Sequence, residues 1–252
     1  VMPKTLLVSG RPVLSGIIGD LMVDRRYRVF GPAVLLPKAV MNDASALGMT
    51  YLYTMPNRAS VKILERCSFE PVVSYESLVR PIDLTGYLGK YLGLPSGLAR
   101  VLAVVERSVE AFLNRVLGGV GGFFSESDLI DESFGPLCEE FARSNPEMLM
   151  GERRVEYLRW RYMENPQYDF KVLALRPGPG EPVSGYIIYS KSGDMMEIFD
   201  LISLEDGITK KLIRKLLIIA RERGCRAVYA TLNPRMRLAG LLRRHLFFGN
   251  RD

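Results

Sequence analysis

Asp20-Leu21-Met22-Val23-Asp24-Arg25-Arg26-Tyr27-Arg28-Val29-Phe30-Gly31-Pro32-Ala33 is the stretch that decides the fold. An apolar, strand-like run over Gly16 to Val23 feeds a basic, glycine-containing loop. The loop opens a helical pattern from Gly31 to Leu47, stopped near Gly48. A strand leading through such a loop to a helix N-terminus is a natural anion seat, because free backbone N–H groups and the helix dipole both face the anion. Gly31 lets the backbone approach closely. Pro32 suits the first helical turn, where its missing N–H would have had no partner. Arg25, Arg26 and Arg28 add positive charge, so a diphosphate would fit.

Outward from this loop, Thr5 to Val8 and Thr50 to Met55 read as strands, and Ala59 to Arg66 reads as a short helix. Phe69 to Val79 reads as one or two further strands. This is the alternation of an α/β unit. Leu98 to Leu117 reads as a helix with one apolar stripe, packed against a domain or subunit. A second domain is expected from Phe123. Its helices are expected over Asp128 to Ser144 and Glu152 to Met163, and antiparallel strands over Lys171 to Arg176, Val183 to Tyr189 and Met195 to Ile202. Helix Asp206 to Arg223, strand Ala227 to Leu232 and helix Arg235 to Arg244 complete it.

The two halves repeat each other. Asp20-Leu21 matches Asp200-Leu201, Gly48 matches Gly224, and Thr54-Met55-Pro56-Asn57-Arg58 matches Thr231-Leu232-Asn233-Pro234-Arg235. Thr54 lies 34 positions after Asp20, whereas Thr231 lies 31 after Asp200. The shortfall falls between strand and helix, where the second copy reads only Ser203-Leu204-Glu205-Asp206-Gly207-Ile208. The basic loop is present once and missing once.

Arg28-Val29-Phe30-Gly31-Pro32-Ala33 matches the R/Q-x-x-G-x-G/A signature of the GNAT N-acetyltransferase superfamily. Pro56-Asn57-x-x-Ser60, with Phe69 twelve residues after Asn57, resembles that family's N-x-x-A/S…G-F segment. The resemblance covers about 65 residues. It implies an α/β (α+β, mixed-sheet) fold with two GNAT-like domains, the first short of its N-terminal part. The domains would be 1–83, a helical linker 84–122, and a degenerate copy 123–252. It implies an acyl-CoA-dependent N- or O-acyltransferase using acetyl-CoA or another acyl-CoA. Arg28, Val29, Phe30, Gly31, Pro32 and Ala33 would hold the pyrophosphate. Leu21 and Val23 would pair with the pantetheine arm, and Asn57 would lie near it. Two departures stand out. The family's general-acid tyrosine position is Leu64, and its usual glycine before Phe69 is Ser68. Asp20 is the one candidate base.

Tyr157-Leu158-Arg159-Trp160-Arg161-Tyr162…Asn165-Pro166…Tyr168 resembles a segment of GNAT-like proteins from bacterial polysaccharide and cell-wall clusters. It reads as a buried helix anchored by Trp160, or as an aromatic and arginine cluster able to stack on a sugar or a base. Fem-type aminoacyl-tRNA-dependent transferases share the tandem arrangement and give an alternative; a non-catalytic binding module is another.

Bulk properties bound these readings. The chain has 252 residues, is 48% hydrophobic, and carries 34 Lys and Arg against 28 Asp and Glu, a net charge of +6. That balance favours anionic partners. Cys67, Cys138 and Cys225 are far apart and His245 is the lone histidine, so neither a structural metal nor a disulfide framework is expected, which suits the cytoplasm. No apolar run reaches the ~18 residues of a membrane helix. The Val1-Met2-Pro3 opening suggests a fragment. The expected partner is a small-molecule, sugar or peptide acceptor; nucleic acid enters only as tRNA in the Fem-type alternative, and a homo-oligomer is compatible with the sequence.

Overall fold

The computed structural model describes residues 1–82 and 122–249, with 95, 97, 98, 101 and 104. In chain order the first elements are strands β1 (Met2–Val8) and β2 (Arg11–Ile18), a 3-10 turn (Arg25–Phe30), helix α1 (Pro32–Ala46), β3 (Tyr51–Thr54), α2 (Arg58–Glu65) and β4 (Glu76–Pro81). Then come β5 (Phe123–Ser127), α3 (Gly135–Ser144), β6 (Met150–Gly151), and α4 (Val155–Leu158), which runs into a π turn (Arg159–Met163). The chain continues through β7 (Phe170–Arg176), β8 (Gly185–Ser192), β9 (Met195–Ser203), α5 (Asp206–Glu222), β10 (Ala227–Leu232), α6 (Arg237–Arg244) and β11 (Phe248–Gly249).

These elements form two compact units, Val1–Val73 with Ala142–Arg153, and Ser74–Phe141 with Arg154–Asp252. The division is not a single cut in the chain, because residues 74–82 fall in the second unit and 142–153 in the first. The first unit carries a four-stranded sheet ordered β3-β2-β1-β6, and the second a seven-stranded sheet ordered β11-β4-β10-β9-β8-β7-β5. Both sheets are mixed. β2 pairs parallel with β3 and antiparallel with β1; β9 pairs parallel with β10 and antiparallel with β8. Among the described residues, no helix is long and apolar enough to cross a membrane.

In the first unit, β1 and β2 form a hairpin closed by Ser9 and Gly10, both at positive φ (50° and 72°). Two consecutive left-handed residues match the twist of the flanking strands. The strand expected over Gly16 to Val23 is shifted: it spans Arg11 to Ile18, and Leu21 and Val23 lie outside it. Asp20 sits at φ 53°, a left-handed conformation that ends an extended run. Ser15, fully buried, donates from Oγ to the Lys4 carbonyl at 2.6 Å and ties the hairpin together.

The second unit packs on both faces of its sheet. On one side α5 presents Leu212, Leu216 and Ala220, a stripe at i, i+4, i+8, to Met196, Ile198, Val228, Ala230 and Leu78. On the other, α3 and α4 bring Leu137, Val155 and Leu158 to Val172, Tyr186 and Ile188.

Several boundaries differ from expectation. Phe69 to Tyr75 is not strand; Pro71 offers no N–H to a ladder, and β4 begins only at Glu76. Asp128 to Ser144 is not one helix. Asp131 accepts from the Ser133 N–H at 2.9 Å and caps a short 3-10 turn, Glu132–Phe134, before α3. Glu152 to Met163 holds the end of an extended segment, then α4 and its π turn. The helix expected over Leu98 to Leu117 lies outside the described residues, apart from 98, 101 and 104, which are helical.

The two units close their first helices with matching hydrogen bonds. At the end of α1, Gly48 N–H bonds to the Ser45 carbonyl and Met49 N–H to Ala44; at the end of α5, Gly224 N–H bonds to Arg221 and Cys225 N–H to Ala220. Both glycines are left-handed. Three residues later each copy starts a four-residue parallel ladder, Ser15–Ile18 against Tyr51–Thr54 and Met195–Ile198 against Ala227–Ala230. This register keeps Asp20 aligned with Asp200. It moves Thr54 onto Ala230 rather than Thr231, a slip of one residue.

The second helices also end alike. Phe69 N–H bonds to the Leu64 carbonyl, Phe247 N–H to Leu242, and the residues between, Ser68 and Leu246, sit at φ 64° and 60°. Ser68, where the family resemblance leads one to expect glycine, thus carries a side chain in a left-handed position. Ser68→Gly or Leu246→Gly is expected to stabilise the protein by about 0.5–1 kcal/mol, the strain relieved exceeding the added unfolded-state entropy. A rise in the urea midpoint checks this; a fall would contradict it.

Candidate functional site

The loop from Val23 to Ala33 is built locally. Asp24 caps the 3-10 turn by accepting from the Arg26 N–H at 2.9 Å and pairs with the Arg26 guanidinium at 3.1 Å. That side-chain hydrogen bond from Arg26, joined by its backbone bond, holds the Asp24 carboxyl below the ordinary range. Both side chains are exposed, so the pair contributes little to stability. Arg28 Nε donates to the Val23 carbonyl at 3.1 Å and folds the loop back on itself. Arg25 has no ion-pair partner among the described residues. Three arginines against one aspartate leave the loop at about +2.

Gly31 ends the turn at φ 81° and caps α1 with no side-chain hydrogen bond, and α1 opens with Pro32. Val34 and Leu35 N–H groups bond to the Gly31 carbonyl. The Ala33 N–H, in the first turn of α1, has no intrahelical acceptor. A Cβ at Gly31 would meet nothing within 4 Å, so the backbone there lies open. No acidic residue occupies the first turn of α1. An open first-turn amide, a helix dipole and surrounding arginines make an anion seat.

The matching point in the second unit is filled instead. Only Leu204 and Glu205 separate β9 from α5, against thirteen residues between β2 and α1. Glu205 is the cap residue, and Asp206 in the first turn pairs with Arg237 at 2.6 Å. Carboxylates there already complement the dipole and would repel a phosphate.

The other site residues fall as follows. Leu21 and Val23 lie in the irregular segment after β2, half-buried, and the Val23 carbonyl is engaged by Arg28. Asn57 is the cap of α2: its Oδ1 accepts from both the Ser60 N–H and the Ser60 Oγ at 3.0 Å. Leu64, at the family's acid position, is buried. Asp20 is exposed. Trp160 is not a buried anchor but 63% exposed; the π turn swings it outward, while Leu158 and Tyr162 face the core.

Two features escaped sequence reading. Asp200, almost fully buried, accepts from the Tyr186 hydroxyl at 3.0 Å and from its neighbour Leu201 N–H at 3.1 Å. It follows a bulge at Phe199, where the β8–β9 register shifts. Glu197 accepts from the Tyr229 hydroxyl at 2.6 Å across the parallel ladder. The signal was present in the alternation of β9, Met195-Met196-Glu197-Ile198-Phe199-Asp200, which puts Glu197 on the face away from α5.

No family model matches the chain, and no curated protein matches it by sequence. Solved structures do. A GCN5-related N-acetyltransferase from Anabaena variabilis aligns over 99% of this chain and 56% of its own, with TM-score 0.64 and 12% identity. Saccharomyces cerevisiae N-myristoyltransferase with bound myristoyl-CoA aligns over 99% and 63%, with TM-score 0.62 and 14% identity. A probable N-acyltransferase from Enterococcus faecalis aligns over 92% and 50%, with TM-score 0.62 and 11% identity. The chain therefore spans between half and two thirds of the length of these neighbours. At such identities the likeness is one of fold, and the fold of this chain is that of the GCN5-related N-acetyltransferases.

Proposed function

We propose that the chain is the cofactor-binding and acceptor-shaping part of an acyl-CoA-dependent N- or O-acyltransferase with tandem GNAT-like domains. The observation that carries this is the contrast between the two helix N-termini. The first follows a basic loop and has no acidic residue in its first turn; the second is occupied by Glu205 and Asp206. In this reading the backbone of Arg28 to Ala33 holds the coenzyme diphosphate, and Leu21, Val23 and Asn57 flank the pantetheine arm. The bound thioester supplies the electrophilic carbonyl. The chain contributes position and charge complementarity, which alone lower a barrier substantially.

Buried Leu64 cannot protonate a leaving group. A thiolate with a pKa of about 8.5 departs without full protonation, so an amine or hydroxyl acceptor can attack directly. Asp20 is the candidate base within the first unit, exposed two residues beyond the parallel ladder. Leu64 also favours a second reading, a non-catalytic acyl-CoA-binding module. Thiol release from acetyl-CoA and from longer acyl-CoAs separates the two. Acceptor-dependent release over a panel of amines and sugars is expected. A chain that binds the thioester and releases no thiol with any acceptor would be the module instead.

A further inference from the structure

Trp160 is the chain's one tryptophan, and most of it faces water. An indole is a large apolar surface, and leaving it in water forgoes its burial. The turn that presents it is firmly built. Glu164 N–H bonds to the Arg159 carbonyl at 3.0 Å, the five-residue span of a π turn. Arg159 pins the turn to the preceding segment, donating from Nε to the Ile130 carbonyl at 2.6 Å and from Nη2 to Glu132 at 2.8 Å. Leu158 and Tyr162, on either side of Trp160, are buried, and the Tyr162 ring meets Phe170 edge-on at 5.1 Å. Single π turns inside helices are frequent at functional sites.

Trp160 does not stand alone. The half-buried Tyr157 ring lies 5.8 Å away, its plane tilted 44° from the indole. The two rings make a shallow V that suits a thick, puckered ring more than a flat one. Glu156, Arg161 and Glu164 are exposed beside them in the chain. They supply both donors and acceptors, the mixture that hydroxyl groups need. Over Arg154 to Asp169 the charges balance, with Arg154, Arg159 and Arg161 against Glu156, Glu164 and Asp169, in a chain of net charge +6. A neutral stretch gives a polyanion no attraction, so a nucleotide's phosphate gains nothing here. An uncharged sugar loses nothing by it. The C–H groups on one face of a pyranose carry slight positive charge and match the negative face of an aromatic ring.

We propose that Trp160 and Tyr157, rimmed by Glu156, Arg161 and Glu164, form a binding platform for a pyranose sugar. The sugar's C–H face lies on the indole, Tyr157 meets its edge, and its hydroxyls reach the charged rim. This site stands on the surface of the second unit and does not depend on the acyl-transfer reading.

The lone tryptophan makes the test direct, since the indole fluorescence of the full chain reports this ring alone. The probes are the methyl glycosides of glucose, galactose, mannose and N-acetylglucosamine, with glycerol and uridine monophosphate as controls. A saturable blue shift with at least one glycoside is expected, as the sugar displaces water from the ring. Glycerol should give none, and uridine monophosphate should bind at least about tenfold more weakly. Tyr157→Ala should weaken the glycoside several-fold. Trp160→Ala, at an exposed position where circular dichroism should show an unchanged fold, should abolish glycoside binding seen by saturation-transfer NMR. No saturable shift with any glycoside, equal or tighter binding of the nucleotide, or saturation transfer that survives Trp160→Ala would overturn the proposal.

Discussion

Gly31→Glu is expected to weaken acetyl-CoA binding by at least about a hundredfold, roughly 2.7 kcal/mol. Two effects combine. Gly31 sits at φ 81°, and a side chain there costs about 1–2 kcal/mol of strain, which shifts the loop away from the geometry that presents the first turn of α1. The new carboxylate also stands at the positive end of α1, where it would occupy the seat a phosphate needs. Gly31→Ala separates these effects, since it carries the strain without the charge and should lose far less affinity. Global stability should change little beyond the strain, because no atom lies within 4 Å of the new Cβ. Calorimetry on the two variants checks both numbers.

Leu212→Ala is expected to destabilise the second unit by about 3–5 kcal/mol. Leu212 is fully buried at the start of the α5 stripe. It packs on bare backbone: a Cβ built at Gly185 would lie 3.0 Å from Leu212 Cδ1, 2.6 Å from Ile208 Cγ2 and 2.9 Å from Ser203 Cβ. The helix therefore approaches β8 through a gap that only glycine leaves, and truncating Leu212 empties it. Gly185→Ala should overfill the same contact at a cost of about 1–3 kcal/mol. The two changes should add to less than their sum, because they meet at one point. Urea unfolding of the single and double variants measures this; strict additivity would mean that α5 does not seat on Gly185.

Much of the fold was legible because the relevant signals are local. Gly48 and Gly224 mark helix ends by their conformation, and the strand–helix–strand order follows from apolar runs between them. The Arg25–Ala33 loop was legible for the same reason. The end of β2 was not, because the left-handed turn at Asp20 has no distinctive residue to announce it. The destination of β4 was not legible either, since pairing with β10 is set by tertiary register rather than by Glu76–Pro81 itself. Trp160 misled because a π turn shifts the helical face by part of a turn, exposing a residue that a 3.6 period buries. The Glu197–Tyr229 pair needed the ladder register, which joins residues 32 apart.

The basic loop of the first unit, and not its acidic counterpart in the second, is the proposed seat of an acyl-CoA. Calorimetric titration of the full chain with acetyl-CoA tests it directly, comparing the wild type with Gly31→Glu and with Gly207→Glu, the latter in the first turn of α5 where no atom lies within 4 Å of a new Cβ. Saturable binding by the wild type and Gly207→Glu, lost in Gly31→Glu, is the predicted result. No binding by the wild type, or equal binding by all three, would contradict it.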